Sequence, residues 1–410
     1  MDKDVKRRLG LIFGFVLIDL LGYSLILPLL PYYAETFGAT LTVVGLLGTV
    51  NALSQLLAAP TIGRLSDRYG RRPLLIVSIV GTVISFTLLG VARSLFMIFI
   101  SRMLDGLLGG NIALARAYIT DVTDEKNRAR GLGIIGAAFG LGFIVGPAMG
   151  GLLSRFGYNV PALVAAGLSA LNLIAVVLWL PESLSPERRA DARRNPGTRF
   201  SFRLLGEALQ RPCVGPLLQI SLLYSLAFTL FQSNFALYAK THLALNVRAT
   251  SFVLTYVGIL SVLVQGFAIG KLTARFRERQ LIFTGTIVLA LALLGWAFAP
   301  NVWVLLVVLA PTALAAGVLN TVLTSQLTKV VRREETGGAL GLSASLQTFA
   351  QIVAPGFGGA LLENAGTWSV GVLGALIMAG AVFFTQRKVL SQPDDTDVSC
   401  RPEDIPAPAA

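Results

Sequence analysis

The sequence has little of what disulfide-rich, metal-binding or water-soluble proteins depend on. Its 410 residues include 2 cysteines and 1 histidine, and only 14% of them are charged. Cys213 and Cys400 are too few for a disulfide framework, and the single His242 provides no histidine cluster for a metal. Soluble domains carry about 25% charged residues. The composition therefore excludes an ordinary soluble domain and indicates no metal site and no cofactor.

Long apolar segments dominate the chain. Hydrophobic residues make up 54% of it, and the mean hydropathy is +0.71. A bilayer core needs roughly 20 apolar residues per helix. Twelve such segments lie near residues 9–33, 42–63, 74–92, 95–119, 131–154, 159–181, 214–239, 248–270, 281–299, 302–329, 338–361 and 368–386. The sequence therefore predicts an all-α membrane protein with 12 transmembrane helices.

The basic residues predict how the chain is oriented. A net charge of +12 is also typical of nucleic-acid binding, but here Lys and Arg are scattered through short loops, and no basic face forms. Most of the 34 fall in the N-terminus and in alternate loops, which the positive-inside rule places in the cytoplasm. Both termini are therefore expected there, with the lipid bilayer as a partner and no nucleic acid.

The two halves of the sequence resemble each other. Gly63-Arg-Leu aligns with Gly270-Lys-Leu, and the segment at Pro147 aligns with that at Pro355, at nearly the same offset. Internal repeats of this kind build many secondary transporters. We therefore expect two pseudo-symmetric six-helix bundles, 1–181 and 213–386, joined by a cytoplasmic linker, 182–212. A disordered cytoplasmic tail, 387–410, follows them.

Four motifs carry a resemblance to a known family. They are Asp19-Leu-Leu-Gly22 with Pro28 and Pro31, Gly63-Arg-Leu-Ser-Asp67-Arg68-Tyr-Gly70-Arg71, Arg102-Met-Leu-Asp105-Gly106, and Gly146-Pro147-Ala-Met-Gly150-Gly151. Together they resemble the major facilitator superfamily, and within it the proton-coupled drug antiporters such as the tetracycline efflux proteins. The resemblance covers residues 9–386 and is strongest over the first half.

The resemblance implies a secondary transporter and no enzyme. It implies a monomer in the cytoplasmic (inner) membrane that exchanges a small-molecule substrate for protons by alternating access. Tetracycline exporters use a membrane-embedded histidine in their second half, which this chain lacks, so tetracycline itself is not the expected substrate. The other functions left open are a metabolite, sugar or lipid carrier on the same fold and a receptor that does not transport.

The second motif predicts a conformational latch in the loop after helix 2. Gly63 and Gly70 allow tight turns with positive φ, and Asp67 can accept hydrogen bonds from Arg68, Arg71 or a helix N-terminus. In the second half Ala274 replaces the acid, so the latch is expected in the first half alone. The alternative is a simple topology anchor built of arginines.

Helix 5 is predicted to pack closely against a neighbour. Gly146, Gly150 and Gly151 leave part of its surface without side chains, and Pro147 can kink it. A gating role for these residues is implied by the resemblance, and packing alone remains the alternative.

Three charged residues are predicted to meet near the membrane midplane. Asp19 lies roughly 15 Å into helix 1, and Arg102 and Asp105 lie at similar depth on one face of helix 4. Intramembrane charges are costly and usually functional. We expect Asp19 to carry the proton and contact the substrate, with Arg102 tuning it and Asp105 as a second candidate. In the alternative, Arg102 and Asp105 merely neutralise each other.

The second half offers neutral polar and aromatic groups. Aromatic rings suit a lipophilic ligand, whereas the amides can bond either to substrate or across helices. The remaining candidate substrate contacts are Tyr23, Phe228, Phe231, Gln232, Asn234, Tyr256, Asn320, Gln347 and Gln351.

Overall fold

The computed structural model describes residues 3–187, 189–190, 211, 214–331 and 335–390. Residues 391–410 of the predicted tail, both cysteines and most of the linker lie outside the described residues. Residues 387–390, which were predicted to be disordered, belong to a π-helix instead. Over the described part the chain is helical and contains no β-strand.

Fifteen α-helices and two π-helices account for the described membrane segments. The helices in chain order are α1 (Lys3–Ile26), α2 (Leu30–Glu35), α3 (Leu41–Tyr69), α4 (Arg71–Gly90), α5 (Leu95–Leu108), α6 (Asn111–Val122), α7 (Glu125–Leu153), α8 (Val160–Trp179), α9 (Val214–Leu243), α10 (Val247–Leu263), α11 (Ile269–Arg275), α12 (Glu278–Ala297), α13 (Val302–Lys329), α14 (Thr336–Asn364) and α15 (Ser369–Thr385). The π-helices are Val264–Ala268, between α10 and α11, and Gln386–Leu390, after α15.

Hydropathy supports nearly every predicted span. Among the described residues, 11 helical segments are long and apolar enough to cross a bilayer. The predicted span at 338–361 corresponds to α14, which has 29 residues but carries Gln347 and Gln351. These polar side chains lower its hydropathy without shortening it, so α14 completes the predicted twelve.

Four predicted helices differ from those in the structure. The span predicted at 248–270 is interrupted by the π-helix Val264–Ala268 and continues to Arg275. The segment 9–33 is divided, because α1 ends at Ile26 and α2 begins after a turn that contains Pro28. The second predicted helix continues past residue 63 to Tyr69, since charged residues end the apolar run without ending the helix. The fourth predicted span consists of two helices, α5 and α6.

The repeat is visible in the lengths of the elements. Helices α4 and α12 each have 20 residues, and α7 and α14 each have 29 with a proline inside. The segments Leu41–Tyr69 and Val247–Arg275 also have equal lengths of 29 residues. Corresponding spans in the two halves are therefore built to the same dimensions.

Contacts between Cα atoms divide the chain into two units. The first contains residues 1–198 and 236–262, and the second contains 199–235 and 263–410. In the first unit α1 packs along α7 and α8, and α4 packs on α5 and α8. Its apolar core includes Ile12, Phe15 and Tyr118. In the second unit α12 packs between α13 and α15.

Candidate functional site

The fourth predicted span is interrupted near its middle by two glycines. Helix α5 ends at Leu108, and α6 begins at Asn111. The amide of Gly109 still donates to the carbonyl of Asp105 at 2.7 Å, but a Cβ at Gly109 would collide with that same carbonyl. The glycine pair therefore lets the chain leave the helix and restart it within the membrane.

Asp19 contacts the first residue of the second half-helix. The Nδ2 of Asn111 donates to Asp19 Oδ1 at 2.5 Å and to Thr82 Oγ1 at 3.2 Å. Asn111 is buried, whereas Asp19 is half-buried. Among the described residues Asp19 has no Lys, Arg or His at ion-pair distance. Its carboxylate is therefore held by a neutral amide.

Arg102 and Asp105 form the predicted pair on one face of α5. The Nη1 of Arg102 lies 3.4 Å from Asp105 Oδ2, and their side chains are 5% and 13% exposed. Asn51 of α3 donates from Nδ2 to the same Asp105 oxygen at 3.0 Å and to the carbonyl of Arg102 at 3.0 Å. The guanidinium also lies 5.7 Å from the centre of the Phe86 ring. Asp105 is thus neutralised locally.

Two members of the predicted trio, Arg102 and Asp105, are in contact, whereas Asp19 has a different partner. Arg102 bonds to Asp105 and Ser101, and no described contact joins it to Asp19. The direct partner of Asp19 is Asn111, which the sequence prediction missed. Its signal was present in the sequence, because a Gly-Gly pair followed by a polar residue inside an apolar span marks a broken helix.

Close packing fixes α5 against its neighbours. A Cβ at Gly106 would meet the backbone carbonyl of Asn51, so α3 and α5 approach closely there. Ser85 and Ser101 each donate to the other's backbone carbonyl, at 2.8 and 2.9 Å. The Arg102–Asp105 pair therefore lies on a helix that packs closely against both α3 and α4.

An accessible aromatic surface lies beside the charged groups. Tyr23 is one helical turn from Asp19 and is 42% exposed, with its ring 6.5 Å from that of Phe143. Phe143 in turn stacks on Phe139 at 6.1 Å. Tyr23 is therefore placed for the predicted contact with a ligand, which remains a prediction.

In the second unit, two amides bond across helices. Asn234 is fully buried, and its Nδ2 donates to the carbonyl of Ala354 on α14 at 3.3 Å, with Gly358 close beside it. Gln326 donates to Glu278 on α12. These two amides therefore serve helix packing.

The other candidate groups of the second half keep part of their surface accessible. Phe228 is half-buried and stacks on Tyr224 at 5.7 Å, whereas Phe231 is buried edge-on against Trp296. The remaining predicted contacts are exposed (Gln232, Asn320 and Gln351) or half-buried (Tyr256 and Gln347). They stay predictions.

Residues of the predicted latch take part in an ion-pair network between helix ends. The guanidinium of Arg71 lies 2.7 Å from Asp67 Oδ1 and 3.1 Å from Asp121 Oδ2 at the end of α6. Arg68 lies exposed at the end of α3. The expected turn at Gly63 is wrong, because α3 continues through Gly63 with a helical backbone. Of these two glycines, Gly70 has a positive φ, at +112°, and Gly63 does not.

Glu182, which follows α8, caps the N-terminus of α4. Its carboxylate accepts from the backbone amides of Arg71 and Arg72 at 2.9 and 3.2 Å, and from those of Ser183 and Leu184 at 3.0 and 3.1 Å. A Cβ at Gly70 would collide with this carboxylate. Glu182 therefore accepts from the helix N-terminus, which the sequence analysis considered as a partner for Asp67.

The glycines of α7 face two different helices. A Cβ at Gly146 would collide with Ser24, and one at Gly150 with the carbonyl of Leu25, both on α1. On another side, a Cβ at Gly151 would collide with Ser251 of α10. Helix α7 runs unbroken through Pro147. The predicted smooth surface is therefore in contact with α1 and α10.

A further ion pair lies at the opposite end of the first unit. Lys240 of α9 pairs with Glu35 of α2 and lies 5.2 Å from the centre of the Tyr32 ring. The hydroxyl of Tyr32 lies 2.7 Å from the carbonyl of Leu245 and 2.8 Å from Thr250 Oγ1. No group of three or more His, Cys, Asp or Glu side chains within the described ranges could hold a metal ion.

The family profile that matches this sequence covers most of it. The profile of the Major Facilitator Superfamily matches residues 12–241 and again 217–398. The chain belongs to this superfamily. It is therefore a multi-pass membrane transporter.

Characterised relatives of this superfamily member include drug-resistance proteins. The tetracycline resistance protein of class C from Escherichia coli is 31% identical over 89% of this chain and 92% of its own length. Solute carrier family 22 member 18 from Rattus norvegicus is 28% identical over 90% of each chain. The superfamily member therefore resembles the tetracycline-efflux group over nearly its whole length.

Solved structures support the same fold. The human organic anion transporter MFSD10 superposes with a TM-score of 0.71 at 22% identity, covering 94% of this chain and 100% of its own. A peptide transporter POT bound to sulfate gives 0.73 at 16% identity, covering 96% and 95%. At these identities the likeness shows the major facilitator fold alone.

Proposed function

We propose that this superfamily member exports small lipophilic, drug-like compounds in exchange for protons by alternating access. The observation that carries the proposal is the setting of Asp19, a half-buried carboxylate bound to a neutral amide inside the membrane. The similarity to tetracycline resistance proteins supports drug efflux. We place the protein in the cytoplasmic membrane with both termini in the cytoplasm, as the basic loops indicate.

Asp19 is the better proton carrier of the two intramembrane acids. Asp105 is paired with Arg102 and accepts from Asn51, so losing its charge would leave a buried guanidinium uncompensated. Asp19 has no cation partner in the described structure, so binding a proton removes the cost of an unpaired charge in hydrocarbon. We therefore assign the proton to Asp19 and a supporting role to the Arg102–Asp105 pair.

The proton gradient supplies enough energy for export. One proton charge moving inward yields about 2.3 kcal/mol per 100 mV, and each pH unit adds about 1.4 kcal/mol. A tenfold concentration ratio costs about 1.4 kcal/mol. One proton per turnover can therefore sustain more than a tenfold gradient of a neutral compound.

Lipophilic substrates suit the groups that remain accessible. In the first unit Tyr23 lies one turn from Asp19 and is partly exposed. In the second unit the accessible groups are the half-buried Phe228 and the exposed amides of Gln232, Asn320 and Gln351. Aromatic faces and a few amides match an apolar compound with one or two polar groups.

Proteoliposomes with an imposed pH gradient test the proposal. We expect wild-type protein to move a lipophilic probe such as ethidium when the gradient is present and to stop when a protonophore collapses it. Asp19→Asn should abolish this coupled movement while leaving the folded protein intact. Asp105→Asn, the comparison variant, should mainly reduce thermal stability.

Three outcomes would contradict the proposal. Undiminished coupled transport by Asp19→Asn would remove Asp19 from the mechanism. Transport of metabolites, sugars or lipids that ignores the protonophore would favour a carrier over a proton-coupled exporter. Ligand binding without flux of any compound would favour a receptor.

A further inference from the structure

The side-chain amide of Asn111 has a fixed orientation. Thr82 uses its hydroxyl hydrogen to donate to the carbonyl of Ser78 at 3.2 Å. Thr82 Oγ1 must then accept from Asn111, so the NH₂ end of the amide faces Thr82. The second hydrogen of that NH₂ group is left for Asp19. Thr82 thus makes Asn111 a donor toward Asp19.

The other end of the same amide is left unsatisfied. Asn111 is 3% exposed, and its Oδ1 has no hydrogen-bond partner among the described residues. A buried polar atom without a partner is uncommon and calls for an explanation. With its NH₂ group directed at Thr82 and Asp19, this amide leaves its acceptor oxygen unpaired.

The helix break strengthens the same effect. Asn111 is the first residue of α6, whose N-terminus has no side-chain cap. Free amides and the helix dipole place partial positive charge at such an end. The break at Gly109 and Gly110 therefore brings both a donor and this partial charge to the carboxylate.

We infer that Asn111 is a positioning residue that sets the pH at which Asp19 exchanges its proton, and that Thr82 orients it for this task. The inference rests on the proposed function, since the transport step would use the proton on Asp19. A donor aimed at a carboxylate stabilises its ionised form, so Asn111 promotes proton release from Asp19 after the proton has been bound.

Few other charged or titratable groups face Asp19. On α5, Arg102 and Asp105 are paired with each other, and neither has a described hydrogen bond to Asp19. Tyr23 lies on the same helix as Asp19. The packed segments 131–153 of α7, 160–179 of α8 and 73–90 of α4 contain no charged residue. On α6, which also packs on α1, Arg116 is exposed, Asp121 pairs with Arg71, and the hydroxyl of Tyr118 donates to the carbonyl of Pro181 at 2.9 Å. Asn111 is thus the one described side chain that hydrogen-bonds to Asp19.

Infrared titration of the purified protein in liposomes tests this inference directly. The protonated carboxyl band of Asp19 is identified by its loss in Asp19→Asn and is then followed against pH. Asn111→Leu removes the donor at similar volume, so the midpoint should move to higher pH by about one to two units. Thr82→Val should shift it in the same direction by less, and Thr82→Ser should restore the wild-type midpoint.

A matched control comes from the other intramembrane amide. Asn51 donates to Asp105 rather than to Asp19, so Asn51→Leu should leave the Asp19 midpoint in place. An unchanged midpoint in Asn111→Leu overturns the inference, as does an equal shift in Asn51→Leu. If Asn111→Leu does not fold, the contrast between Thr82→Val and Thr82→Ser decides, and equal midpoints there overturn the inference.

The band is measured without any transport, which separates the two proposals. A shifted midpoint in a protein that moves no probe refutes the proposed export and leaves the role of Asn111 intact. Proton-coupled export with an unshifted midpoint refutes the role of Asn111 and leaves export intact. In an exporting protein, the pH optimum of Asn111→Leu should follow the band to higher pH.

Discussion

Arg71 and Glu278 occupy equivalent positions in the two repeats and carry opposite charges, each paired with the end of a later helix. Arg71 begins α4 and lies 3.1 Å from Asp121 near the end of α6. Glu278 begins α12 and lies 2.9 Å from Lys329 at the end of α13. The sequence predicted a latch in the first half alone, but an ion pair with exchanged charges stands at the equivalent place in the second.

The two ion pairs should contribute unequally to stability. Arg71 and Asp121 are 12% and 11% exposed. Asp121→Asn should therefore lower the free energy of unfolding by nearly as much as breaking a buried pair, about 3 kcal/mol. Lys329 is 61% exposed, so Lys329→Gln should cost about 0.2–1 kcal/mol. Thermal unfolding in detergent measures both. Equal losses would contradict the difference that burial predicts.

Gly70 and Gly63 should respond oppositely to alanine. Gly70 has φ +112° and no room for a Cβ beside Glu182, so Gly70→Ala should destabilise by about 1–3 kcal/mol. Gly63 is helical with nothing within 4 Å of a Cβ, so Gly63→Ala should stabilise by about 0.5–1 kcal/mol. The melting temperatures of the two variants test this. An unchanged melting temperature in Gly70→Ala would show that the Glu182 carboxylate does not lie against Gly70.

The α7 glycines should tolerate a methyl group according to what they face. At Gly150 a Cβ would meet a backbone carbonyl, which no side-chain rotation relieves, so Gly150→Ala should cost about 1–3 kcal/mol. Gly136 has nothing within 4 Å, and Gly136→Ala is the matched control. Thermal stability and the transport rate should fall in the first variant only. Equal stability and transport rates in the two variants would show that the contact with α1 does not explain the glycine at position 150.

At the opposite end, the Tyr32 hydroxyl should matter more than the charge of Glu35. Glu35 is 57% exposed, so Glu35→Gln should cost at most about 1 kcal/mol. Tyr32→Phe leaves the carbonyl of Leu245 without this donor in a part-buried setting, for about 1–3 kcal/mol. The double variant Glu35→Lys with Lys240→Glu exchanges the two charges. It should recover most of the stability that Glu35→Lys loses by itself. Thermal unfolding compares all of these variants.

Neighbours across helices could not be read from the sequence. Periodicity put Arg102 and Asp105 on one helical face, and the structure confirms their contact. It could not say that Asn111, 92 positions away, would bond to Asp19, or that Glu182 would cap a helix 111 positions away. Such contacts depend on which helices become neighbours and at what depth, and no local pattern encodes either.

The sequence by itself determined the membrane fold, the repeat and the presence of intramembrane charges. It could do so because burying a polar group in hydrocarbon costs free energy at each position independently. The length of each apolar segment and the position of each charge can therefore be read directly from the sequence. Only the tertiary structure decided that Arg102 pairs with Asp105 and that the neutral amide of Asn111, at a helix break, hydrogen-bonds to Asp19. Hydrogen bonds act over about 3 Å, and that distance is set by the packing of helices far apart in sequence.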